Sequence, residues 1–350
     1  MAEIIVSKGK TSIDEILNND SMFVLKGGKA VKTTVSSGGS MYVSNGGIAS
    51  ETAVSSGGSM FISKGGKVNS ASICYSGCMD VYGGTVNNLL IDQGSVVFSS
   101  GGGTINDLSM KKGRLTFYSG TINRAAIDHG TMILSSGGKV NSATFNNGKL
   151  SLDSKCTANK ITLESGASMT LYGNAKASGV TVKTGGSMYI GSGAVVTNLT
   201  FAGGDADPAK DKYAGRLAVN GTVKGLTIGS GTSIALYSGC TATKVKWTPG
   251  NGVVYIWSAS VSFTSKYSGV YLGSDGAFVN SSQELVSQTL KKGASAYVMK
   301  GGVASGLEIA SGGSVFVWSG GKAVQTKLGL GLHKKPGIEK AYVQNPQYNH

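Results

Sequence analysis

From Ser21 onward the chain repeats one pattern of apolar and polar positions. A serine is followed by an apolar-x-apolar triplet, then a glycine turn, then a second apolar set, then another glycine turn. The pattern is plainest in SMYVSNGGIASETAVSSGG and SMFISKGGKVNSASICYSG, two copies of a nineteen-residue unit between Ser40 and Gly77. The triplet can be followed through sixteen copies, led by Met22, Met41, Met60 and Met79 and ending with Val315. A spacing of two puts its apolar members on one face of a strand and the residue between them on the other.

The second set is spaced apolar-x-x-apolar-x-apolar, as in Val68, Ala71 and Ile73 or Val86, Leu89 and Ile91. Its last two members form another strand with one apolar face, and the first lies across a corner. Each unit thus has three inward-facing sides. One unit cannot bury its apolar face alone, so copies must stack, each strand pairing in parallel with the next at ~4.8 Å. The expectation is an all-β single-stranded parallel β-helix, a β-solenoid of about 16 rungs of about 19 residues. No helical period persists, and the glycines would break one.

The repeat sets the domain boundaries. Residues 1–20 read as a degenerate capping rung, 21–328 as the repeat domain and 329–350 as a C-terminal arm or linker. Within the repeat, 205–215 is an inserted loop and 273–290 an irregular rung.

Corner positions carry their own chemistry. Asn69, Asn87, Asn106, Asn123, Asn141 and Asn159 fill one slot in six successive units. Asparagine tolerates left-handed backbone, and stacked asparagines pair their amides along a coil axis, so these residues read as a structural ladder, with a glycan or ligand role as the lesser alternative. The Gly-Gly pairs supply positive φ at the turns, and no lysine-serine pair follows them to make a phosphate cradle.

Outward positions are aromatic in many units. Tyr42, Phe61, Tyr189, Tyr255, Tyr271, Tyr297 and Phe316 occupy the middle of the triplet, as does Phe23. Tyr82, Tyr118, Tyr172, Tyr237, Trp257 and Trp318 occupy the next outward slot. Exposed aromatic stripes either stabilise neighbouring rungs or offer a flat surface for sugar rings, a receptor or a second copy.

Composition narrows the function. Glycine is abundant (55) but lacks the collagen period. The net charge of +14 comes from scattered lysines, which keep a rod solvated and also attract anionic polymers such as lipopolysaccharide, acidic glycans or DNA. Nothing resembles a specific nucleic-acid module, and no apolar run reaches the ~18 residues of a membrane span. Cys78, Cys156 and Cys240 sit in turn-flanking slots that hold serine or glycine elsewhere. With no CxxC pair, Cys74 and its fellows read as substituted repeat positions rather than a disulfide or zinc framework. Acids are dispersed except for Asp205, Asp207 and Asp211 in the inserted loop, the one weak metal candidate. His129, His333 and His350 are isolated, so neither a catalytic constellation nor a cofactor is expected.

The unit φxφ-Ser-x-Gly-Gly-x-Ala-x-x-Thr-x-Val-x-x-Gly-Gly resembles the strand-loop-strand repeat of self-associating autotransporter passengers, of the type of the adhesin involved in diffuse adherence. The resemblance covers residues 21 to about 328, most faithfully Ser40 to Gly77, Ser95 to Gly113 and Ser295 to Gly321. It implies a right-handed β-helix on the bacterial surface, mediating adhesion, autoaggregation and biofilm formation. It also implies self-association, host or bacterial surface glycans or receptors as partners, and O-linked heptose added by a heptosyltransferase. By position, the acceptors are Ser44, Ser63, Ser99 and Ser135, which follow the first strand before glycine. No secretory signal pattern precedes the repeats and no barrel-type strands follow them, so the expectation is a passenger fragment, a secreted protein exported by another route, or an intracellular chain. The same pattern suits two other proteins: a fibre subunit joined end to end, and a tail-spike-like β-helix that binds or cleaves polysaccharide.

Overall fold

The computed structural model describes residues 2–201, 216–229, 232–247, 252–256, 259–265, 268–274, 277–282, 284–291, 294–311, 313–317 and 320–328. These residues form strands and turns, wound as a parallel β-solenoid. The inserted loop and the C-terminal arm lie outside them. The chain divides into two compact units, Met1–Thr197 and Asn198–His350.

In the first unit the triplets stack as the alternation predicts. Met22 pairs with Met41, Met41 with Met60 and Met60 with Met79. The column continues in register through Val96, Leu115, Met132, Leu150, Met169 and Met188. All ten side chains are buried. Each apolar station sits on its own copy one rung away, and each carbonyl and amide meets the neighbouring strand, so burial and backbone pairing are met together.

The other two sides behave alike. Ala30, Ala49, Val68 and Val86 form one buried column, and Val35, Val54, Ile73 and Ile91 another. Residues 3–18 form a complete rung, with Glu3–Val6, Thr11–Ile13 and Ile16–Asn18 each paired in parallel to the next rung.

The two glycines of each turn have different duties. Gly27 and Gly46 have φ near +75°, the left-handed region that glycine enters freely (+77° and +73°). Gly28 and Gly47 do not. A Cβ there would overlap the carbonyl oxygens of Val6 and Val24, one rung below. The first glycine turns the chain, and the second lets one rung settle on the last. In later rungs Cys156, Ala167 and Cys240 take the second slot and are buried.

In the second unit, Arg216–Val219, Thr232–Leu236 and Gly252–Ile256 again pair in parallel register. The regular coil then breaks. Val270–Ser274 runs antiparallel both to Ala277–Ser282 and to Ala294–Val298, pairing Val270 with Val298 and Leu272 with Ala296. The predicted parallel register of the Val270 and Ala296 triplets is therefore corrected. Alternation marks a strand's two faces but not its direction. The irregular stretch contains a hairpin, and among the described residues the coil has about 14 turns rather than about 16. Beyond the hairpin, Ala294–Val298 pairs in parallel with Ser314–Val317, and three-sided winding resumes around Ala296, Ala304, Leu307 and Val315.

Candidate functional site

The outward column of the first strand begins with rings. Phe23 and Tyr42 lie 4.8 Å apart at 7°, and Tyr42 and Phe61 lie 5.0 Å apart at 12°. The in-register rung spacing imposes this parallel stacking, and each ring is half-buried by its neighbours. Below them Ile5 pairs with Phe23 and is 55% exposed. Above them Asp80 takes the slot beside Phe61, and Val97 follows it. Asp80 remains exposed, and partial loss of water beside Phe61 raises the pKa of its carboxyl. The ring stack thus ends on an acid. Tyr189, at the far end of the column, is tilted at 56° against Tyr172, 6.4 Å away.

The four candidate acceptor serines share one column of turns with three of the outward tyrosines. Backbone bonds to the strand one rung below place Leu25, Ser44, Ser63, Tyr82, Ser99, Tyr118, Ser135, Asp153 and Tyr172 in sequence along the coil. Each of Ser44, Ser63 and Ser135 also accepts from the second glycine of its own turn. Ser63 is exposed, and Ser44, Ser99 and Ser135 are half-buried. The Ser135 hydroxyl donates to Asp153 Oδ2 at 2.7 Å. Tyr82 and Tyr118 are 61% and 43% exposed, so rings alternate with hydroxyls at rung spacing.

The asparagines form a bonded ladder over most of its predicted length. The Nδ2 of Asn87 donates to Asn69 Oδ1 (3.1 Å), that of Asn106 to Asn87 (2.7 Å), that of Asn123 to Asn106 (2.8 Å) and that of Asn141 to Asn123 (2.9 Å). At its start Asn69 donates to Ser50 Oγ (3.0 Å). None of these asparagines has positive φ, so left-handed tolerance is not their reason for being there. The corner backbone changes where the ladder is absent. Lys32, Glu51, Lys160 and Gly179 are left-handed at this corner, with φ between 51° and 64°. Among the described residues the amide bonds stop at Asn141, and Asn159, next to left-handed Lys160, makes none.

In the second unit the aromatic expectation fails at two positions. Tyr297 and Phe316 were expected in an exposed stripe and are 3% and 8% exposed. They stack on each other at 4.8 Å, and Trp247 packs edge-on against Tyr297 at 5.4 Å. The outward face of these strands is covered by another ring, which pattern alone does not reveal. Tyr271 is half-buried. The side chain of Tyr255, together with Trp257, Trp318, Asp205, Asp207 and Asp211, lies outside the described residues.

Reactive groups are few. All four thiols are free. Burial pushes the Cys156 and Cys240 thiols up, which suppresses thiolate, and Cys78 is exposed in the slot that Ser59 fills one rung away. The Arg124 guanidinium grips Asp107 by two bonds of 2.6 and 2.7 Å and holds that carboxyl below its usual range. Among the described residues, no three of His, Cys, Asp and Glu gather where a metal ion could be held.

Residues 16–77 match the family of bacterial autotransporter adhesins, in its probable stalk. The crystal structure of a TibC-catalysed hyper-glycosylated TibA fragment is similar to this β-helix, with a TM-score of 0.64 and 28% sequence identity. The match covers 74% of this chain and 94% of that one. A comparison with curated proteins finds no match.

Proposed function

We propose that the chain is a non-catalytic bacterial surface or secreted β-helix that mediates adhesion and autoaggregation, and through them biofilm formation. The observation that carries this reading is the in-register outward columns of the first unit. Outward side chains aligned rung upon rung offer several weak contacts that sum by multivalency. The ring stack of Phe23, Tyr42 and Phe61 supplies a rigid apolar contact, suited to self-association or to sugar rings. The family match and the likeness to the TibA fragment support an adhesin, and the sparse, scattered acids and histidines suit display better than catalysis. Ser44, Ser63, Ser99 and Ser135 are the proposed O-glycosylation acceptors, with a heptosyltransferase as partner. The exposed Ser63 is the most accessible of them.

The experiment is surface display on bacterial cells with a clumping assay. The triple variant Phe23→Ser, Tyr42→Ser, Phe61→Ser, shown by circular dichroism to keep its strand signal, should lose clumping while the parent retains it. A parent that neither clumps cells nor binds surfaces would overturn the adhesin reading, and a clumping triple variant would remove the ring stack from it. Intact mass after co-expression with a heptosyltransferase tests the serines, and an unmodified mass rejects them.

A further inference from the structure

We infer that the corner face just beyond the asparagine ladder is a binding site for an anionic glycan. A groove of about 510 Å³ lies there, within the first unit. Lys139, Thr157 and Lys176 form one column of its floor and Asn141, Asn159 and Ser178 the next. The groove is open to solvent, and its volume falls within the range of small-ligand sites.

Three features assign the ligand class. First, the ladder stops where the groove begins. Among the described residues, Asn141 spends its Nδ2 on Asn123 and its Oδ1 accepts no bond, and the Asn159 side chain makes none. The backbone turns left-handed at Lys160, next to Asn159, and both Asn141 and Asn159 line the groove. Amides and hydroxyls in two columns match the hydroxyls of a sugar chain. Second, Lys139 and Lys176 stand two rungs apart, about 10 Å along the coil at strand spacing. Both are exposed, and among the described residues neither has a carboxylate within ion-pair distance. The lining holds no acid, so the groove has one sign of charge and its ligand carries the other. Third, the lining holds no aromatic ring, so a nucleic acid would find no platform for its bases. An oligosaccharide with an anionic group on each repeat meets both lysines at once and presents hydroxyls to Asn159 on the rung between them and to Asn141 beside Lys139.

This inference is separate from adhesion through the ring stack, because a soluble assay reads the groove whether or not cells clump. The test is calorimetric titration of the full chain with oligogalacturonate, its methyl ester, a sulfated galactan oligosaccharide and oligothymidylate. The expected result is binding to the carboxylated or the sulfated sugar, with whichever binds identifying the anion, and weak or no binding to the ester and to oligothymidylate. Lys139→Gln with Lys176→Gln should weaken the sugar about two- to thirtyfold, the sum of two exposed ion pairs. Asn159→Ala should also weaken it. Lys26→Gln with Lys64→Gln, which removes the same charge elsewhere in the unit, should change it by less than about twofold. Equal losses in the two lysine pairs would show general attraction to a +14 chain and overturn the site. So would equal binding of the ester, tighter binding of oligothymidylate, or no binding to either sugar.

Discussion

Met60→Ala is the sharpest perturbation of the stacked core. Met60 is fully buried, with Met41 below and Met79 above in exact register, and both neighbours are fully buried too. Truncating a buried methionine costs about 2–5 kcal/mol, the spread reflecting how far the site collapses. Two flexible methionines flank this one and will fill part of the space, so the lower half of the range applies, about 2–3 kcal/mol. In a solenoid each rung contacts only its neighbours, so the loss should be local. Native-state hydrogen exchange reads it. Amides of Ser40–Val43, Ser59–Ile62 and Cys78–Val81 should exchange roughly 30- to 150-fold faster, at a factor of ten per 1.4 kcal/mol. Amides of Ser168–Leu171 should be unchanged. Unaltered exchange around position 60 would refute the buried column, and acceleration throughout the first unit would refute the rung-by-rung account of stability.

Three further outcomes follow from particular side chains. The hydroxyls of Thr33 and Thr52 are buried with no hydrogen-bond partner, and valine has nearly the same shape, so Thr52→Val should stabilise by about 1 kcal/mol in urea unfolding. A destabilised variant would show that the hydroxyl is satisfied. Asp80 has a folded pKa above its unfolded one, so folding favours its protonated form, and its ionisation destabilises as pH rises through the carboxylate range. Asp80→Asn should therefore raise the Tm at pH 7, and the gain should vanish at pH 3. A gain that grew toward acid would reverse the sign of the argument. Maleimide at pH 7.5 should modify exposed Cys78 in the native chain and reach Cys156 and Cys240 only in urea, as read by peptide mass. Prompt native labelling at Cys156 would contradict its burial.

Much of the fold was legible because each unit repeats the same physical problem. An apolar face two residues long has to be covered, and its copy one unit away covers it. That reasoning places Met41 on Met60 and Val43 on Ile62 without further information. It fails where the covering group comes from elsewhere. Tyr297 alternates like an outward residue, and only the structure reveals Trp247 against it. It also fails at Val270–Ser274, because an alternating strand reads the same in either direction.

The candidate site was legible in parts. The asparagine slot is visible in sequence, and the bonds from Asn69 to Asn141 follow from stacking. The departure of Asn159 goes with the left-handed backbone at Lys160, and nothing in residue type at the asparagine slot signals it. The shared column of serines and tyrosines was hidden for a different reason. Ser63 and Tyr82 look like members of two motifs until the turns are aligned by their backbone bonds to the rung below. Asp80 ends the ring stack, and the triplet alignment alone places it there, since it is the middle residue between Met79 and Val81.

The central claim is that like residues sit above one another along the coil. Methyl-methyl NOE spectra of the chain labelled only at the methionine methyls address it directly, since the sequence holds just 10 methionines. The account predicts an unbroken chain of cross-peaks, Met22 to Met41 to Met60 to Met79, with Met110 and Met299 outside it. Four methyls with no mutual cross-peaks, or with the shifts of methionine in water, would contradict it.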